Sequence, residues 1–203
     1  MGDEKSVKRS ANRRKAEDRT PLDAYYTDDN LAALLVGLLP MQAGQTAIEP
    51  SVGGGAFARA LAAAGLHVAG IDIDPAARGL EDCREARVAD WADVTPTGQA
   101  DWIVGNPPYA HAQAHIEHAL RHGANVAMLL RLAFLESRKR EAFWRRHPAH
   151  AIWTITPRPR FSGAKTTDSA AYGWFWWQSR AEVPVHGNVT EPMTLRNLYY
   201  HTK

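Results

Sequence analysis

The chain has 203 residues, 45% of them apolar, with 24 Lys and Arg against 22 Asp and Glu and one cysteine, Cys83. That length and apolar content bury one sizeable core, so a single domain is expected. A lone cysteine excludes an internal disulfide framework and fits a reducing, cytoplasmic compartment; no apolar run approaches the roughly 18–20 residues of a membrane span, and the polar start carries no signal-peptide pattern.

In chain order, residues 1–20 carry Lys5, Lys8, Arg9, Arg13, Arg14 and Lys15 among polar neighbours without an apolar period. They are expected to form a disordered basic tail, with residues 21–203 making the domain. Thr27-Asp28-Asp29 caps a helix that runs to about Leu39 and is ended by Pro40. Strands are expected near 45–49, 67–73, 86–90, 101–105, 125–132 and 150–156, with helices near 56–64, 75–82, 112–122 and 133–146. Short strands alternating with helices imply the α/β class, a parallel sheet covered on both faces. A last strand near 171–178 follows 150–156 without a helix between them, so it should run antiparallel, giving about seven strands.

Charge is distributed unevenly along this order. Residues 1–20 carry seven Lys and Arg against four Asp and Glu, residues 21–109 four against twelve, and residues 110–203 thirteen against six. An acidic centre suits a cationic ligand, and basic flanks suit a polyanion.

Two motifs carry the chemistry. In the first, the strand ending on Ala47-Ile48-Glu49 runs through Pro50, Ser51 and Val52 into Gly53-Gly54-Gly55 and then an Ala-rich helix. Glycines permit positive φ and close approach of a ligand, and a helix start leaves N–H groups unpaired beside it. Gly53-x-Gly55-x-x-Ala58 also fits the dinucleotide fingerprint, with Asp72 nineteen residues after Gly53 at the next strand end. An acidic residue there points to a ribose-bearing ligand, and on these residues both NAD and S-adenosylmethionine fit.

The second motif is Asn106-Pro107-Pro108-Tyr109, at the end of the apolar run 101–105. Each proline fixes its own φ, removes an N–H and pushes the preceding residue away from helix. The turn therefore holds the Asn106 side chain, the Pro107 carbonyl and the Tyr109 ring in fixed relation. Two acceptors and an aromatic face suit a planar ring bearing an exocyclic NH₂.

The order Glu-Pro-x-x-Gly-x-Gly, then Ile71-Asp72-Ile73-Asp74-Pro75, then Ala89-Asp90-Trp91, then Asn-Pro-Pro-Tyr resembles the S-adenosylmethionine-dependent amino-methyltransferases. Within them it looks like the gamma-type DNA adenine-N6 methyltransferases, in the small form found in bacteria and phage. Arg158-Pro-Arg160-Phe161 and Tyr172-Gly-Trp174-Phe-Trp176-Trp177 add to the likeness, which covers roughly residues 21–180. The resemblance implies a Rossmann-like class I methyltransferase sheet and S-adenosylmethionine as cofactor, left as S-adenosylhomocysteine. It implies Asp72 on the ribose hydroxyls, Asp90 on the cofactor adenine, Glu49 near the amino group and Gly53 and Gly55 along the methionine part. Tyr26 and Thr27 would cover the cofactor, and Pro50, Ile73, Trp91 and Asn106 would complete its site. The substrate would be adenine in duplex DNA, flipped out of the stack between Tyr109 and Phe161. Asn106, Pro107, Pro108 and Tyr109 would carry catalysis.

Arg158, Arg160 and Lys165 flank Gly163 in a polar loop and are the expected phosphate or base contacts. His111, His115, His118 and His122 share one helical face; it is read as an exposed basic surface, and no metal is expected. Trp174, Trp176 and Trp177 are expected in the core. About 25 residues follow the last expected strand, too few for a large target-recognition domain, so a short site read by loops, or by a symmetric dimer, is expected. The rival readings are the same chemistry on RNA, protein glutamine methylation, a non-catalytic nucleic-acid-binding module and an NAD-dependent oxidoreductase. The last gives no role to the Asn-Pro-Pro-Tyr turn.

Overall fold

A computed structural model describes residues 26–159, 161 and 170–178, together with the backbone of Thr194–Tyr199. The basic segment 1–20, Arg160 and Lys165 lie outside the described residues. Strands β1 (Thr46–Glu49), β2 (His67–Asp72), β3 (Glu85–Val88), β4 (Ala100–Gly105) and β5 (Gly123–Arg131) pair in parallel in the order β3-β2-β1-β4-β5. Beyond β5 come β7 (Tyr172–Gln178), antiparallel to both neighbours, then β6 (Ala151–Thr156). Strand β7 runs antiparallel to β5 and β6, as expected. An eighth strand, β8 (Thr194–Tyr199), adds in parallel to β6 and was not foreseen.

Alternation along the strands makes two cores. On β5, Ala127 and Leu129 face one layer while Val126, Met128 and Leu130 face the other. Trp174 and Trp176 on β7 join the first layer, and Phe175 and Trp177 the second, so the tryptophan run is core, as expected. Helices α1 (Asp29–Gly37) and α2 (Ala56–Ala63) cover the first face; Phe57 stacks on Trp174 with ring centroids 5.3 Å apart. Helices α3 (Ala112–His122) and α4 (Glu141–Arg146) cover the second. Among the described residues, no helix is long and apolar enough to cross a membrane.

Asp28 caps α1, its carboxylate accepting from the N–H groups of Asn30 and Leu31 at 3.0 and 3.2 Å. Two expected helices are corrected. Residues 75–82 form only a 3-10 turn, Arg78–Asp82, because Gly79 is drawn against the glycine loop: its N–H donates to the Gly53 carbonyl at 3.0 Å, and a Cβ on Gly79 would run into the Gly55 backbone. Residues 133–146 break into 3-10 turns at Leu132–Phe134 and Arg138–Arg140 before the short α4. There the Phe134 carbonyl is taken by side chains instead of a helical N–H: Trp144 Nε1 donates to it at 3.3 Å and Arg140 at 3.4 Å, the guanidinium lying over the Phe134 ring. Strand β3 also ends at Val88 instead of residue 90, which leaves Asp90 in the connection that follows.

Candidate functional site

The sheet order reverses between β1 and β4, so the connections leaving these strands part in opposite directions and open a crevice above their carboxyl ends. Glu49 ends β1, Asp72 ends β2, Asp90 follows β3 and Asn106 follows β4, which brings all four to that crevice. A cavity of about 490 Å³ fills it. Tyr26, Pro50, Gly53, Asp72, Ile73, Asp90 and Trp91 line it, and so does the whole turn Asn106, Pro107, Pro108 and Tyr109. A recess of about 30 Å³ shares Tyr26, Gly53 and Asn106 with it and adds Thr27 and Glu49. Two motifs far apart in sequence thus face one space.

The acidic groups are held in different ways. Asp72 accepts from the Gly53 N–H at 2.7 Å through one oxygen and from the Asp74 N–H at 2.9 Å through the other. Its carboxylate is therefore fixed to the glycine loop, where Gly53 takes a φ of 50° that a side chain would resist. The Tyr26 ring lies directly over Gly53, 3.1 Å from where a Cβ would stand. Asp90 caps the next turn, accepting from the Ala92 N–H at 2.9 Å. Ile73 leaves 55% of its surface exposed at the cavity wall, an apolar face without a protein cover.

Glu49 is the one buried charged or polar residue among those described, 2% exposed. Burial, with smaller contributions from Asp72 and Asp82, holds its carboxyl well above the usual range despite a backbone hydrogen bond at Ala58. Its Oε2 is buried with no hydrogen-bond partner among the described residues. A desolvated carboxyl of this kind is stabilised in its charged form by a cationic donor that enters the recess.

Thr27 Oγ1 accepts from Asn106 Nδ2 at 3.3 Å, tying the start of the fold to the Asn-Pro-Pro-Tyr turn. Tyr109 leans on Tyr172, ring centroids 5.8 Å apart, and the Arg131 guanidinium sits 4.8 Å from the centre of its ring. Burial raises the Tyr109 hydroxyl well above the ordinary phenol, with Tyr172, Arg131 and Asn106 as its electrostatic neighbours.

Three sequence expectations meet a different local setting here. Gly55 does not line the cavity: it starts α2 with a φ of 80° and packs against Gly79, so its missing side chain serves backbone packing. Phe161 offers no open face to a base. It is 4% exposed and meets Tyr172 edge-on at 5.0 Å, because the wall between it and Tyr109 is already filled by Tyr172. The histidine face is only partly an exposed surface: His111 is exposed, while His115, His118 and His122 are half-buried. It packs on Trp91, whose ring meets His118 at 4.6 Å, and His111, His115 and His118 line the cavity. His115 is pushed down to about 4 by burial and so stays uncharged near neutrality. Ser51 Oγ donates to the Pro50 carbonyl at 2.8 Å and therefore accepts from His115 Nε2, 3.1 Å away. Among the described residues, no three His, Cys, Asp or Glu side chains converge to hold a metal ion.

Arg158 lies exposed just past β6, which runs in the same sense as β5, so it stands at the same sheet edge as Asn106. It does not line the cavity. Sequence patterns alone do not reveal the three histidines and Ser51 as cavity residues. The available signal is Trp91, a large apolar ring beside the expected helix, which needs a face to cover it.

No protein-family model matches the chain. Over 106 residues, 49% of its length, the chain is 36% identical to the Type II methyltransferase M.TthHB8I of Thermus thermophilus. It spans 25% of that curated relative. A proposed RNA methyltransferase from Pyrococcus horikoshii superposes with a TM-score of 0.66 at 17% identity, over 79% of this chain and 91% of that one. The 23S rRNA methyltransferase ErmE gives 0.59 at 18%, over 78% and 71%, and an S-adenosylmethionine-dependent O-methyltransferase from Thermotoga maritima gives 0.56 at 15%, over 77% and 70%. The fold is thus the Rossmann-like α/β sheet of the methyltransferases.

Proposed function

We propose that the protein transfers a methyl group from S-adenosylmethionine to the N6 amine of adenine in DNA. The observation that carries this reading is the single cavity shared by the ribose-type carboxylate Asp72 and the Asn106 to Tyr109 turn. Similarity to a Type II methyltransferase supports methyl transfer, and the resemblance of the turn to the gamma-type adenine enzymes supports the choice of base.

The residues fit the cofactor. Asp72 is fixed to receive ribose hydroxyls, Ile73 supplies an uncovered apolar face for a purine and Asp90 stands beside it. Glu49, a buried acid with an oxygen unmatched among the described residues, suits the ammonium of the methionine part. When bound, S-adenosylmethionine would supply an electrophilic methyl group for a new carbon–nitrogen bond, the electron pair of the broken carbon–sulfur bond remaining on sulfur. The adenine amine is a poor nucleophile because its lone pair is delocalised into the ring. Hydrogen bonds from its two protons to Asn106 Oδ1 and the Pro107 carbonyl favour a pyramidal nitrogen and restore lone-pair density. Positioning by a stiff turn does most of the remaining work. The surplus proton leaves to water after transfer, so no histidine base is needed.

Glu49 makes this fit testable. Burial favours its protonated form and an ammonium beside it would favour the carboxylate, so proton release on binding, with affinity rising with pH, is the expected result. Calorimetry in buffers of different ionisation enthalpy reads that proton directly. Glu49→Gln should abolish the release, and binding of wild type without proton release would contradict the assignment.

Nucleic acid is expected at the edge of the sheet where β5 and β6 end. Arg158 is exposed at that edge, and Arg138 and Lys139 are exposed in the connection that follows β5. Replacing all three by alanine should lower the slope of log affinity against log salt by about 0.9 for each phosphate of duplex DNA that is no longer neutralised. An unchanged slope would place the polyanion elsewhere.

A further inference from the structure

One charged side chain sits against the acceptor turn without a part in the chemistry described above. Arg131 is the last residue of β5 and pairs across the sheet with Tyr172, the first residue of β7. Residues directly opposite in an antiparallel pair project from the same face. The register thus brings the Arg131 side chain to the Tyr172 hydroxyl, to which its Nε donates at 3.3 Å. Tyr172 is fully buried, wedged between Phe161 and Tyr109. From that anchor the Arg131 guanidinium lies over the Tyr109 ring, 4.8 Å from its centre.

We propose that Arg131 is a positioning residue for the acceptor base, acting through Tyr109. This rests on the methyltransferase reading above and names one more residue of the same site. Pro107 and Pro108 fix the backbone on one side of Tyr109, but a tyrosine ring still turns about its own χ angles. A cation held over the ring removes that freedom. It also draws π-density toward itself, which leaves the opposite face less negative and better suited to an electron-rich purine. Tyr172 is the fixed point from which the guanidinium is aimed, so the three residues work as a unit. In the sequence, Arg131 is the one charged residue closing the apolar run Val126 to Leu130.

The test is a double-mutant cycle on the full chain, read as single-turnover methyl transfer to adenine-containing DNA, with cofactor affinity and melting temperature measured alongside. Arg131→Met removes the cation and keeps a long side chain. It should slow transfer roughly 5- to 30-fold, the range of a partly desolvated cation–π contact, at unchanged cofactor affinity. Arg131→Lys keeps a cation within reach of the ring and should recover part of that loss. In a Tyr109→Ala background, Arg131→Met should have no further effect, because the ring it acts through is gone. A merely structural arginine would instead cost the same in both backgrounds. Equal losses in the two backgrounds overturn the proposal. So does an Arg131→Met rate at or above wild type, which would mean that the guanidinium occupies the place of the base. If Arg131→Met melts well below wild type, the Arg131→Lys cycle decides by the same criterion. A wild-type chain that methylates no substrate overturns the methyltransferase reading and this proposal together. Active wild type with uncoupled variants overturns this proposal alone.

Discussion

Replacing Asn106 by alanine is expected to slow methyl transfer severely while leaving cofactor affinity nearly intact. Its side-chain oxygen acts on the substrate amine, a role that matters only as the lone pair develops, so the loss belongs to the rate and not to binding. Removing one preorganised partner at a reacting centre commonly costs about a hundredfold to a thousandfold, and a loss in that range is expected here. The side chain also donates from Nδ2 to Thr27 Oγ1 at 3.3 Å. Asn106→Asp keeps an acceptor toward the amine but replaces that donor, so it should fall between alanine and wild type. Single-turnover rates beside calorimetric affinities separate the two roles. A variant that binds cofactor tenfold more weakly yet transfers at the normal rate once saturated would refute the assignment.

The second large effect is expected at the other end of the cavity. Asp72→Ala should weaken cofactor binding at least tenfold, since a charge-assisted hydrogen bond is worth about 1.5–3 kcal/mol. The structure adds a reason for the upper part of that range. The same carboxylate holds the Gly53 N–H at 2.7 Å and the Asp74 N–H at 2.9 Å, so alanine also releases the glycine loop. Asp72→Asn retains one oxygen for the loop and should lose less. Equal, unchanged affinities for wild type and Asp72→Ala would remove Asp72 from the site.

The parts of the site that were legible in the sequence are those set by local rules. A strand end, a glycine loop and a helix start follow one another within residues 46–63, and α3 spans the expected 112–122 because its apolar positions recur at helical spacing. Strand ends carrying Glu49, Asp72 and Asn106 converge because parallel strands must all end on one edge. What was not legible depends on neighbours distant in sequence. Gly79 looks like a tolerable helix residue until Gly55 is placed against it, and Arg140 and Trp144 look helical until both reach back to the Phe134 carbonyl. The histidine face reads as solvent-exposed unless Trp91 is known to lie under it. Phe161 has the composition of a stacking residue but loses its open face to Tyr172, which belongs to the next strand. β8 follows a stretch with no apolar period and pairs only once β6 is present as the sheet edge.

If this cavity joins a methyl donor to an exocyclic amine of a nucleic-acid base, label must pass from one to the other and must depend on the turn. The decisive experiment supplies tritiated S-adenosylmethionine with duplex DNA, single-stranded DNA, RNA and a glutamine-containing peptide in parallel, using wild type and Asn106→Ala. Label is expected on adenine N6 in DNA with wild type, and at an initial rate at least about a hundredfold lower with the variant. Label on RNA or peptide alone would contradict the choice of substrate, and labelling of DNA at the wild-type rate by Asn106→Ala would contradict the chemistry assigned to the turn.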